Sequence, residues 1–347
     1  MAILDPHIHL WDVHRTARPA RPLVRVLGWN RGLLMRAAKL AFPRDLIAFL
    51  SERTNAVEDF LPDDYLREAR PLGIERFVHV QAGWKDDRPL DAVGETEWLE
   101  ALRRAGAPVA GIVAYADLRL GDAVAEVLDA HVAASPVMRG VRFMLAWHDH
   151  RMVHSFAPAP RLSTDPSVRR GLEALIERDL SFDAWCYHHQ LREVAAVARA
   201  YPELRMLLCH VGTPAGALGA FHGLGESPAA RDRTLGEWRD GIAEVAEQPN
   251  VECKISGLTM PVLGLGYERR STPPSLDELT EAILPLAGGA LDAFGAERCM
   301  FASNFPIDAV SVDLATLYGA YRAIALDRGA DEQALFHDNA ARFYRLE

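Results

Sequence analysis

The chain has 347 residues, 49% of them apolar, and a formal net charge of −10. That length suits one large domain or two ordinary ones, with enough apolar residues for a sizeable buried core. The acidic balance argues against nucleic acid as a partner, and no apolar run approaches a membrane span. The start, Met1-Ala2-Ile3-Leu4-Asp5, lacks the basic-then-apolar order of a signal peptide. Cys186, Cys209, Cys253 and Cys299 sit in apolar strand-like runs, at spacings that fit neither a zinc ribbon nor a disulfide framework. They read as buried free thiols in a reducing cytoplasm.

In chain order, the first expected strand, 3–9, carries His7 and His9 two residues apart. Positions i and i+2 of a strand point to one face, so the two imidazoles converge, as metal ligation or proton transfer requires. From Val13 to Arg44 follow eight basic residues and no acidic one. Lysine is otherwise scarce, with only Lys85 and Lys254 beyond Lys39. Further strands are expected at 76–82, 109–116, 138–145, 180–187, 205–210, 251–256 and 298–303. Amphipathic helices are expected at 64–72, 97–105, 122–134, 167–178, 191–201, 238–247 and 276–294, then at 312–326 and 331–345. Asp165-Pro166-Ser167 and Ser275 supply capping signals.

Eight strand–helix units predict an α/β fold, a closed (β/α)8 TIM barrel. A doubly wound open sheet is the alternative, but no Gly-rich phosphate turn follows the first strand. Helix-to-strand links are short, whereas the strand-to-helix links 10–63, 146–166, 211–237 and 257–275 are long. Barrel enzymes place their chemistry on that strand-exit side. No linker divides the chain, so 1–347 reads as one domain with 13–62 inserted as a basic lid.

The strand exits carry a polar set: His7 and His9, His79 and Gln81, Arg142, Trp185, His210, Lys254, Asn304 and Asp308. His148, His188 and His189 lie nearby, and each is as readily a satisfied structural histidine. His7, His9 and His210 are different, because a functionless histidine at the end of an apolar strand is costly to bury unpaired.

The opening Asp5-Pro6-His7-Ile8-His9-Leu10-Trp11-Asp12 resembles the amidohydrolase-2 branch of the amidohydrolase superfamily. So do Cys209-His210-Val211-Gly212-Thr213-Pro214, Lys254-Ile255-Ser256-Gly257-Leu258 and Ser303-Asn304-Phe305-Pro306. Within that branch the chain is most similar to the sugar-lactone and pyrone-dicarboxylate lactonase group, over nearly its whole length. The resemblance implies a barrel hydrolase that opens a small carboxylated or polyhydroxylated lactone by water attack on the ring carbonyl. His7, His9 and His210 fall on the family's histidines, and Arg142 on its strand-4 arginine, suited to hold a carboxylate or polarise a carbonyl. His79, Gln81, Trp185 and Lys254 are expected to line the substrate site.

One departure stands out. Many relatives carry Ser-Asp-Trp-Pro where this chain has Ser303-Asn304-Phe305-Pro306, and an amide accepts no proton as a general base. Asp308 or a histidine is then expected to take the proton, and Asn304→Asp to preserve or raise turnover. Three imidazoles and an amide suit one divalent metal, zinc in the first place, held by His7, His9 and His210. A metal-free site with the histidines as oxyanion donors is the alternative. The expected partner is a small anionic substrate entering under the basic lid, and such barrels often pair as homo-oligomers. Two other functions remain open on this scaffold: non-oxidative decarboxylation, and non-catalytic binding on a disabled barrel.

Overall fold

The computed structural model describes residues 2–54, 56–84 and 87–346, so Lys85 lies outside the described residues. Eight parallel strands run in sequential order: β1 Ile3–Ile8, β2 Ile74–Val80, β3 Val109–Ala114, β4 Met138–Met144, β5 Ser181–Trp185, β6 Met206–Leu208, β7 Val251–Ile255 and β8 Cys299–Phe301. The barrel closes just beyond β8. Asn304 N donates to His7 O at 2.9 Å, and His9 N to Phe305 O at 2.8 Å. Asp5 accepts from Ser303 N at 3.1 Å and from Tyr65 OH at 2.6 Å, tying the two ends of the sheet together.

Between β1 and the first barrel helix lie three short helices, α1 Arg21–Leu27, α2 Arg31–Ala41 and α3 Arg44–Leu50. The outer ring follows: α4 Pro62–Ala69, α5 Val93–Arg104, α6 Val124–Ala134, α7 Pro166–Glu177, α8 Leu191–Ala200, α9 Pro228–Ala246, α10 Leu276–Phe294 and α11 Leu314–Asp327. The last helix, α12 Asn339–Tyr344, plugs the strand-entry end of the barrel. Its Phe343 and Tyr344 pack with Leu4, Val78, Val113, Leu207 and Met300.

The expected elements are present, with two informative shifts. Helix α9 starts ten residues before the expected 238. Its first turns carry arginines and no apolar stripe, but Ser227 caps it by accepting from Ala230 N, and Pro228 sits at the first helical position. The expected final helix 331–345 is split, because a wider turn over 334–338 precedes α12. Among the described residues, no helix is long and apolar enough to cross a membrane.

Candidate active site

Whether a strand residue reaches the mouth depends on its face and its depth. Asp5 faces outward, to Tyr65 on α4, and by simple alternation His7 would do the same. A register shift between Asp5 and Ile8 opposes an extra β1 residue to β2. This bulge turns His7 and His9 to the barrel axis, a use of bulges common beside active sites. Their Nε2 atoms lie 3.2 Å apart.

At β6 the chain leaves the strand through a left-handed turn: φ is 54° at His210, 48° at Val211, 73° at Gly212 and 34° at Thr213. L-residues adopt this region reluctantly, and such strain concentrates at functional sites. The turn is held by Trp238 Nε1 of α9, which donates to Val211 O at 2.7 Å. It seats the His210 ring 4.6 Å from that of His7 and edge-on to Trp185. His210 Nδ1 lies 2.9 Å from Ser256 Oγ. Gly257 completes the fit, since a Cβ there would stand 2.7 Å from His210 Nδ1.

Hydrogen bonding sets the tautomers. His9 Nδ1 lies 2.7 Å from Val80 O, which only accepts, so the proton sits on Nδ1 and Nε2 is a bare lone pair. Arg142 Nη1 lies 3.4 Å from His7 Nε2 and only donates, so His7 Nε2 is also a lone pair. His7 Nδ1 is buried without a partner. Asn304, itself at φ 58°, gives its Nδ2 to Asp308 Oδ2 at 2.7 Å, leaving Oδ1 3.2 Å from His9 Nε2. Burial first, then the Lys254 charge for His7 and the Arg142 charge for His9 and His210, hold all three histidines well below the usual imidazole range. They are neutral at pH 7.

Three lone pairs thus converge with no proton between them, an arrangement that favours a cation. Zinc bonds of ordinary length put adjacent tetrahedral donors about 3.3 Å apart, close to the 3.2 Å that separates His9 Nε2 from both His7 Nε2 and Asn304 Oδ1. His7 Nε2, His9 Nε2 and Asn304 Oδ1 therefore fit one divalent ion. The expected third ligand, His210, does not complete the set: among the described residues no group of three His, Cys, Asp or Glu side chains could hold a metal ion, and the third donor beside His7 and His9 is the Asn304 amide.

A cavity of about 360 Å³ opens above this floor. His9, Gln81, Arg142, Trp185, His210 and Asn304 line its base, and no aspartate or glutamate among the described residues lines it at all. Arg142 Nη2 donates to Gln81 O at 2.7 Å, and Arg18 Nη1 donates to the next carbonyl, Ala82 O. Arg142 Nε, Arg18 Nε and Gln81 Nε2 are buried donors without partners. Burial lowers the Arg18 guanidinium to about 10, and its Cζ stacks 4.4 Å over the Trp11 ring.

Three expected site residues lie elsewhere. The inward face of β2 carries Val78 and Val80, so His79 faces the helix layer. There it accepts from Leu10 N at 3.2 Å and lies 3.5 Å from Glu95 Oε1. Lys254 does face inward, but two residues below Ser256, which is about 7 Å deeper. Fully buried, it donates to Asp183 Oδ2 at 3.1 Å and Tyr344 OH at 2.8 Å, bracing the barrel interior. Asp308 stands behind Asn304. One oxygen accepts from Thr259 N at 2.9 Å and from Thr259 Oγ1, the other from Asn304. Burial raises it to about 6, a basic enough carboxylate, but it orients the amide rather than facing the cavity.

Sequence reading passed over Arg18 and Ser256. Ser256 shares the inward parity of Lys254, a signal already legible. Arg18 was one of eight basic residues, and nothing in the sequence marks it as the one turned inward. The others that are exposed, among them Arg25, Arg36 and Arg44, make the outer surface basic, not the cavity roof.

Fold and site define a barrel hydrolase, and the comparisons agree: the amidohydrolase family model matches residues 4–346, and the chain belongs to that family. It is an enzyme of the hydrolase class. The chain is 32% identical to the uncharacterized protein y4mH of Sinorhizobium fredii, over 100% of this chain and 99% of that one. It is 29% identical to an L-fucono-1,5-lactonase of Burkholderia ambifaria, over 83% of this chain and 86% of the relative. A crystal structure of a Burkholderia multivorans amidohydrolase with bound zinc superposes with a TM-score of 0.69 at 24% identity, covering 100% of both chains.

Proposed function

We propose that this enzyme opens a lactone ring by attack of water on the ring carbonyl. The observation that carries the reading is the base of the cavity: neutral histidines beside unpaired guanidinium and amide donors, with no acid among them. Such a base stabilises an electrophile whose oxygen gains negative charge, and it holds the carboxylate that hydrolysis releases. The similarity to an L-fucono-1,5-lactonase supports the same reaction type.

Arg142 and Gln81 donate to the carbonyl oxygen as it becomes anionic. His210 takes the proton from the attacking water through Nε2, its Nδ1 being held by Ser256. Arg18 and Arg142 hold the product carboxylate between consecutive carbonyls of the β2 exit. Segment 13–62 acts as the lid, pinned by Asp45 of α3, whose Oδ2 lies 2.6 Å from His154 Nδ1. A divalent ion, zinc first, fits His7, His9 and Asn304, and when bound it supplies Lewis-acid polarisation and acidifies water. The ligand set is neutral and faces Arg142, so the ion is expected to be held weakly. The four free, buried thiols support a reducing compartment such as the cytoplasm.

Acid release at constant pH from a lactone panel tests the reading. Acid without carbon dioxide is expected, and gas from a carboxylic substrate would move the enzyme to decarboxylation. Brief chelation is expected to lower turnover and added zinc to restore it; full activity after chelation means the histidines and arginine suffice.

A further inference from the structure

The walls of the cavity differ from its base. Segment 13–62 turns Met35, Phe42, Leu46, Ile47, Leu50 and Val57 into it, side chains without a nitrogen or oxygen. Phe156, Met260 and Ile307 continue that surface on the barrel side. A polyhydroxylated ring needs a partner for each hydroxyl it buries, and these walls offer few: Thr54 and His154 are polar, but Thr54 Oγ1 already accepts from Ala56 N and His154 Nδ1 is engaged by Asp45. Most hydroxyls seated there would give up water without a partner in exchange. An alkyl or aryl group in the same place removes apolar surface from water on both sides.

We propose that the substrate is a lactone whose ring carries an apolar alkyl or aryl substituent, with the carbonyl on the histidine–arginine base and the substituent under the roof of segment 13–62. This rests on the lactone reading above and names its substrate class. The volume suits it, since about 360 Å³ falls within the range of small-molecule pockets, which are mostly apolar with a few placed polar groups. The reaction balances without a co-reactant: water adds to the carbonyl carbon, the acyl C–O bond of the ring breaks, and the ring oxygen takes a proton from the water and leaves as a hydroxyl on the carbon that bears the substituent.

Two measurements on the full chain separate this inference from the reading it rests on. The first compares kcat/KM for δ-decalactone, δ-valerolactone and glucono-δ-lactone. The alkyl lactone is expected to lead the unsubstituted ring by about tenfold or more, with the hydroxylated lactone last. The second measures calorimetric binding of the matching δ-lactams, which retain the ring but resist hydrolysis. The pentyl lactam is expected to bind at least about tenfold tighter than the glucono lactam. Tighter binding of the alkyl lactam with no lactone turned over upholds the apolar occupant and removes lactone hydrolysis. Equal or tighter binding of the hydroxylated lactam, or faster turnover of its lactone, overturns the inference and leaves lactone hydrolysis standing. Ile47→Asn and Met35→Gln, each confirmed folded by its melting curve, are expected to cut the alkyl-to-unsubstituted ratio several-fold. An unchanged ratio in both would also overturn it.

Discussion

The base and the roof of one cavity are built in opposite ways. At the base, the barrel orients the polar side chains: Val80 and Ser256 orient imidazoles, Asp308 orients an amide, and the consecutive carbonyls of Gln81 and Ala82, just past β2, hold two guanidiniums. The roof comes from short helices whose inner faces are apolar and whose outer faces mix basic residues with exposed Val26 and Leu40, and with Trp29 exposed between α1 and α2. Leu34 and Ala38 of α2 are buried, while Arg36, Lys39 and Leu40 are exposed. Strand ends fix direction within a hydrogen-bonded sheet, so they suit chemistry. An amphipathic insert fixes only shape and polarity, so it suits selection of what enters.

The largest way to break this contrast is His210→Ala. It should lower kcat by about a thousandfold while leaving the melting temperature close to that of the parent, a loss typical of a removed general base. Retained turnover would place the base elsewhere in the barrel.

Asn304→Asp comes next, and here the structure reverses what the sequence suggests. The new carboxylate would face Asp308 across the present 2.7 Å contact, and two carboxylates that close share a proton. Turnover at pH 7.5 is expected to fall about tenfold and to recover in part toward lower pH, where the pair holds its proton. A gain at pH 7.5 would show that Asp308 swings away.

Acid should act through the buried histidines, in the base and beside it. Burial, then neighbouring histidine charge, lowers His148 to about 4 and His188 to about 3, and His7, His9 and His210 shift the same way. The unfolded chain therefore binds more protons than the folded one below about pH 6.5. Stability is complete above that value and is lost as pH falls toward 4, by up to about 1.4 kcal/mol per pH unit for each histidine. Thermal melts from pH 7 to 4 read this slope, which His148→Gln should reduce. A flat melting temperature would mean that these rings are charged in the fold.

The smallest effect is expected from Asp45→Ala, which frees the roof from His154. KM for an alkyl lactone should rise a few-fold with kcat little changed, as measured by initial rates. A fall in kcat alone would instead tie the roof to the chemical step.

Much of the fold was legible because parallel strands buried on both faces read as continuous apolar runs, and eight of them with long exits admit few arrangements. The site was legible in part. His7, His9, His210, Arg142, Trp185, Gln81 and Asn304 come together at the cavity base, while His79, Lys254 and Asp308 serve positions behind or beneath it. The misplacements share a cause. Alternation tells which residues share a face, but not which face looks inward or how deep a residue lies along a tilted strand.

The sequence alone determined the strand–helix alternation, the pairing of His7 with His9, and the amide where relatives carry an acid. All three are local, set by periodicity or by residue chemistry. Tertiary structure alone decided that a bulge turns that pair to the axis, that Asp308 backs Asn304, and that one of eight basic residues enters a largely apolar roof. Each depends on contacts between residues distant in the chain, formed only once the barrel has closed.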